Sequence, residues 1–162
     1  MKYFTKDWCF GDMSDIEMNK NEKDYQLYLN LIFNRLPPTL KFLTKHICLH
    51  DGIICKATFS ESKKHLKLNG IFGNKQYGYY ELVIIYYKTQ KVTPKLLDEA
   101  FTNRFIQLLY DEIEISAKKS FLHKMIFENS TEFEVDFKDV GLQIFNKSQK
   151  DYIPQKCQII IE

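Results

Sequence analysis

Two imidazoles four positions apart, His46 and His50, with a carboxylate directly after them at Asp51, form the most metal-like pattern in this 162-residue sequence. On a continuous helix both rings would share a face, an arrangement that suits zinc, and a metal-dependent hydrolase would be the matching activity. Gly52 and the alternating residues behind it point instead to a helix that ends before His50. Asp51 then accepts backbone hydrogen bonds in a turn, and His50 packs or faces solvent. The chain downstream supplies no further helical ligands, so the expectation is no metal, no cofactor and no catalytic residue, with His46, His50 and Asp51 as the alternative set.

Carboxylates are the second resource. Asp111, Glu112 and Glu114, with Glu132, Glu134 and Asp136, make an acidic set in the second half of the chain. Acid–base work needs one of them buried beside another. Glu112 and Glu114 alternate with Ile113 and Ile115, the pattern of a strand's wet face, which favours a solvated surface able to meet a basic partner protein. The stretch Gly70 to Gly78 carries three glycines and Lys75 but lacks the Gly-Lys-Ser/Thr of a phosphate loop. It reads as a long hairpin loop whose Phe72, Tyr77 and Tyr79 are the aromatic patch expected to grip a partner. Ser60 and Ser62 near His65, and Cys48 near His46 and His50, sit in no nucleophile elbow and define no nucleophile.

The elements that must position these groups change character near residue 50. Thr5 is suited to cap a short helix from Lys6 that Gly11 ends, and Ser14 with Glu17 forms a capping box. Tyr25, Tyr28, Leu29, Ile32 and Leu36 share one stripe of a helix from about Lys23, widened by Leu27 and Leu31 and stopped by Pro37-Pro38. A further helix fits Thr39 to Ile47. From Ile53 the apolar period becomes two, with strands expected after residue 52, around Leu66, over Tyr79–Tyr87, Phe105–Ile115, Phe121–Phe127 and Glu132–Phe137. The strand Tyr79–Tyr87 is apolar on both faces and is expected to be central. In the strand Glu132–Phe137, Phe133, Val135 and Phe137 point in while Glu132, Glu134 and Asp136 point out. Gly141–Phe145 would extend that strand, Gln158–Ile161 would add a last one, and Lys95–Asn103 fits a short helix.

The fold class is therefore α+β: N-terminal helices packed on a largely antiparallel twisted sheet of about six strands. One domain spans residues 1–162, helical over 1–48 and mainly β over 49–162. An internal echo, Leu49-His50-Asp51-Gly52-Ile53 against Leu109-Tyr110-Asp111-Glu112-Ile113, suggests two three-stranded meanders.

Composition narrows the partners. A net charge of +2, with Arg35 and Arg104 the only arginines, gives no footprint for nucleic acid or a membrane surface. No apolar run spans a bilayer and the first residues lack a signal-peptide core. Cys9, Cys48, Cys55 and Cys157 include no Cys-x-x-Cys pair and read as free, mostly buried thiols of a cytoplasmic protein.

The opening Met1-Lys2-Tyr3-Phe4-Thr5-Lys6-Asp7-Trp8 resembles that of a bacterial family of domains of unknown function whose members begin Met-Lys-Tyr-Phe-Thr-Lys-x-Trp. Leu49-His50-Asp51-Gly52, Leu109-Tyr110-Asp111-Glu112 and Phe133-Glu134-Val135-Asp136-Phe137 agree with it, so the landmarks extend to about residue 145. Cys9-Phe10-Gly11-Asp12 departs from the continuous helix the resemblance implies. The resemblance carries no activity. In plan the chain is also similar to small bacterial α+β immunity proteins, which bind a toxin through an acidic or aromatic surface, an analogy of fold alone. The expectation is a non-catalytic protein-binding module, immunity-like or otherwise, with a metal-dependent hydrolase or a small-molecule-binding protein lined by Tyr80, Tyr86 or Tyr87 as alternatives.

Overall fold

Thr5 and Ser14 open the first two helices through their side chains. Thr5 Oγ1 accepts the N–H of Trp8 at 3.3 Å, and helix α1 (Lys6–Phe10) ends at Gly11, whose φ of 82° a side chain would resist. Ser14 Oγ accepts the N–H of Glu17, while the Glu17 carboxylate accepts the N–H of Ser14 at 3.1 Å. From this box helix α2 (Asp15–Ile32) runs unbroken, starting well before Lys23, and passes into a 3-10 turn at Phe33–Arg35. Leu36 is extended because it precedes Pro37. Helix α3 (Pro38–His46) follows, with Leu40 and Leu43 buried. The computed structural model describes all residues except 77, 103–105, 118 and 149–155.

The remaining elements are β1 (Gly52–Ser60), β2 (His65–Asn74), β3 (Gly78–Tyr87), α4 (Pro94–Phe101), β4 (Ile106–Ile115), β5 (Phe121–Phe127), β6 (Glu132–Phe137), β7 (Asp139–Lys147) and β8 (Gln158–Ile161). Their order in the sheet is β6-β5-β4-β1-β2-β3-β7, with β8 parallel to β1. The eight strands exceed the expected six: residues 139–147 pair with β3 along nine residues instead of extending β6, and the last strand expected at Gln158–Ile161 is present and joins β1. The two meanders suggested by the internal echo are present. β1-β2-β3 and β4-β5-β6 meet where Gly52, Ile53 and Ile54 oppose Leu108, Gln107 and Ile106.

β1 is the middle strand, and β3 lies near one end, between β2 and β7. The apolar character of β3 on both faces therefore reports the burial of Leu82, Val83 and Ile84, not a central position. The ends of the strand order, β6 and β7, are consecutive in the chain and joined by Lys138 alone, so the sheet curls round toward that residue. Lys138 N–H donates to Tyr87 O, and Gln90 N–H to Asp136 O, across the meeting point. Here Asp136 is buried at 5% exposure, opposite to the outward orientation expected from alternation.

The main core runs from Ile32, Leu36 and Leu40 of the helical third to Phe59, Tyr86, Phe101, Phe127 and Phe137. A second cluster joins Tyr3, Phe4, Trp8 and Tyr25. Tyr110 completes it, stacked on Phe4 and edge-on to Trp8 at 4.5 Å between centroids. Two outward residues correct the helical stripe: Leu27 and Leu31, expected to face inward, are 67% and 79% exposed.

Candidate functional site

β4 pairs with β1 only through residues 106–108, so its second half has a strand edge turned away from β5. Helix α2 covers that edge. Tyr25 accepts the N–H of Ile113 at 2.8 Å and Tyr28 that of Ile115 at 3.1 Å, each through its phenol oxygen. Burial, with the Asp111 charge beside it, drives the Tyr25 phenol far above its ordinary pKa, so it stays neutral. Where α2, α3 and β4 meet, a recess of about 110 Å³ is left, walled by Tyr25, Gln26, Leu29, Leu43, Thr44, Ile47, Leu49 and Asp111.

Asp111 supplies the charge of this recess, and it is held from behind. His123 Nε2 lies 3.0 Å from Asp111 Oδ2, and His123 Nδ1 lies 2.7 Å from the Tyr86 hydroxyl. His123 and Tyr86 are both fully buried. The imidazole thus bridges the Tyr86 hydroxyl and the Asp111 carboxylate, one ring nitrogen to each. Burial holds Tyr86 neutral, its phenol raised well above the ordinary value. The chain Tyr86–His123–Asp111 thus orients one carboxylate oxygen and leaves that side chain 27% exposed. His123 and Tyr86 carry this arrangement, and the sequence did hold a signal for the first. His123 shares its strand face with Phe121, Met125 and Phe127, where an imidazole needs a partner.

The acidic set does not form one surface. Asp111 and Glu112, being consecutive, project to opposite faces of β4. Glu112 is completely buried, because the arm Met1–Phe4 lies over it. Its Oε1 accepts N–H from Tyr3 and Phe4, both at 2.7 Å, and its Oε2 accepts that of Lys2 at 2.9 Å. Glu114 is taken by Lys124 at 2.9 Å. Burial works against the Lys124 ammonium, but the Glu114 hydrogen bond and the charges of Glu114, Glu134 and Glu112 outweigh it and raise its pKa. Glu132 receives the Met1 ammonium at 2.6 Å.

The glycine-rich loop is likewise shorter than expected. β2 continues to Asn74, and the ring of Phe72, 1% exposed, lies over Gly52 and Gly70, where it cannot grip a partner. Tyr79 is half-buried on β3, and Tyr77 lies outside the described residues.

The histidine pattern also separates. α3 ends at His46, whose exposed ring packs on Phe42, and Ile47 is extended, so His50 does not share its helical face. His50 Nδ1 contacts Leu109 O at 2.5 Å, and its Nε2 is 3.3 Å from Asp51 Oδ2. Gln107 donates to Asp51 Oδ1 at 3.1 Å, so a β4 side chain holds this carboxylate. Among the described residues no three His, Cys, Asp or Glu side chains are grouped to hold a metal. Tyr80, Tyr86 and Tyr87 are each engaged separately: Tyr80 donates to Cys48 O at 2.9 Å, the Tyr86 hydroxyl bonds His123 Nδ1, and the Tyr87 ring meets His65. Of the four thiols, only Cys157 is buried and Cys48 is exposed.

Comparison with models of known families, with curated proteins and with solved structures found no match. No helix among the described residues is long and apolar enough to cross a membrane.

Proposed function

We propose that this chain is a non-catalytic protein-binding module that works through the outer face of α2. One observation carries this reading: Ile16, Leu27 and Leu31 are 82%, 67% and 79% exposed on a single helical stripe. Burying three such side chains contributes roughly 1.5–3 kcal/mol each, enough to anchor a partner. Lys20 and Lys23 sit within the stripe and Asp24 at its border. The matching partner is an amphipathic helix of another protein, with apolar residues facing Ile16, Leu27 and Leu31 and an acidic residue facing the lysines.

The four cysteines without a close pair support an intracellular, cytoplasmic setting. The opening motif supports a bacterial origin, and the α+β plan supports an immunity-like role, in which the partner is the protein held in check.

Affinity capture from the source cell with the intact chain, against Leu27→Ser/Leu31→Ser and a Phe145→Ser control on β7, tests this. A partner lost only with the α2 variant supports the reading. A partner retained by it moves the contact elsewhere, and concentration-dependent self-association abolished by the same pair would assign the face to a second copy.

A further inference from the structure

The recess between α2, α3 and β4 is independent of the outer α2 face, because Tyr25 and Leu29 point to the opposite side of that helix from Leu27 and Leu31. Asp111 is the sole charged residue in its wall. Among the described residues its only ion-pair partner is His123, whose two ring nitrogens are taken up by the Asp111 carboxylate and the Tyr86 hydroxyl. Among the described residues no Lys or Arg side chain pairs with this carboxylate. Yet two fully buried side chains are spent on orienting it, an arrangement that fixes a charge in advance of a ligand.

The rest of the wall fits one chemistry. Thr44 Oγ1 already donates to Leu40 O at 3.0 Å, which leaves its lone pairs as acceptors, and Gln26 adds an amide oxygen at the rim. The wall thus offers three side chains with acceptor oxygens, one of them charged, to set against the three N–H donors of an ammonium group. Leu29, Leu43, Ile47 and Leu49 provide apolar walls for a methylene stem. A volume of about 110 Å³ takes a group of a few heavy atoms, the end of a chain and not a whole metabolite. We infer that this recess binds a primary alkylammonium group, with Asp111 as its counter-ion and Tyr86–His123 as the positioning residues behind it.

The test is a titration of the full chain, followed by the imidazole resonances of His123. The probes are n-butylammonium, n-butanol of equal shape without charge, and N-acetyl-lysine amide. Saturable shifts with n-butylammonium and none with n-butanol are expected. Binding of the lysine amide as well would identify a polypeptide side chain as the source, and its exclusion a free amine. Asp111→Asn keeps an oxygen for His123 and should weaken binding at least tenfold. Gln26→Lys, at an exposed position, brings an ammonium to the rim and should do the same whether or not Asp111→Asn folds. No saturable shift in the wild type, equal response to n-butanol, or undiminished binding in Gln26→Lys would overturn the assignment.

Discussion

The Glu112 carboxylate accepts the backbone N–H of Phe4 at 2.7 Å, and through that contact a buried charge on β4 fastens the first residues of the chain to the sheet. Lys2 and Tyr3 donate to the same group, so a wholly desolvated anion is matched by backbone dipoles and not by a cation. Glu112→Gln places an amide among these donors and should destabilise the fold by about 2–5 kcal/mol. Denaturant unfolding measures the loss, and limited proteolysis should show residues 1–4 released before global unfolding. Unchanged stability would mean that the arm contributes nothing.

Gly52 and Phe72 form a pair in which one residue is defined by the other. A Cβ on Gly52 would lie 1.9 Å from the Phe72 ring. Gly52→Ala should cost about 1–3 kcal/mol through overpacking. In a double-mutant cycle with Phe72→Leu, the combined loss should be smaller than the sum of the two single losses, because the smaller side chain vacates the contested space. Additive losses would place the strain elsewhere.

Tyr86→Phe removes the hydroxyl that partners His123 Nδ1 and strands that nitrogen in the core. The expected cost is about 1–3 kcal/mol, with a change in the His123 tautomer visible in its ring resonances. A ring that kept its tautomer would show that Asp111 alone sets it.

Alkali should unfold this protein from about the ordinary tyrosine pKa upward. Tyr25 and Tyr86 are raised above 10.0 by burial and by Asp111, and Lys124 is raised above 10.5 by its carboxylates. The folded state then holds protons that the unfolded state releases. The stability these groups give is complete below the unfolded values and is lost as pH rises toward the folded ones. Tyrosinate absorbance should show the most alkaline phenols ionising together with loss of ellipticity, and ionisation of every tyrosine ahead of unfolding would contradict this.

Thiol labelling near neutral pH should reach the exposed Cys48 first. Burial pushes the Cys9 thiol up to about 11 and the Cys157 thiol up to about 12, so both should react only on unfolding. Comparable rates at all three positions would refute the ordering.

Local signals were faithful where local chemistry decides. The Thr5 cap, the Ser14–Glu17 box and the Gly11 stop are contacts within one turn, and the sequence reads them directly. Alternation likewise located β4, β5 and β6. What escaped depends on residues far along the chain. Glu112 looks like a wet-face residue until an arm from 108 positions away covers it. Phe72 looks like a loop aromatic until β2 is registered against β1 and its ring finds two glycines. β7 could not be separated from β6 because its nine pairings all lie with β3, more than fifty residues earlier. The Asp111 recess needed three elements at once, although a histidine among phenylalanines marked its foundation.

The phenols of Tyr25 and Tyr28 also act as a stopper. Were α2 to peel away, the N–H groups of Ile113 and Ile115 would become a template for any extended chain that drifted past. Each molecule added in that way would offer its own uncovered margin to the next. Loosening one helix would therefore turn this domain into the seed of a growing fibre.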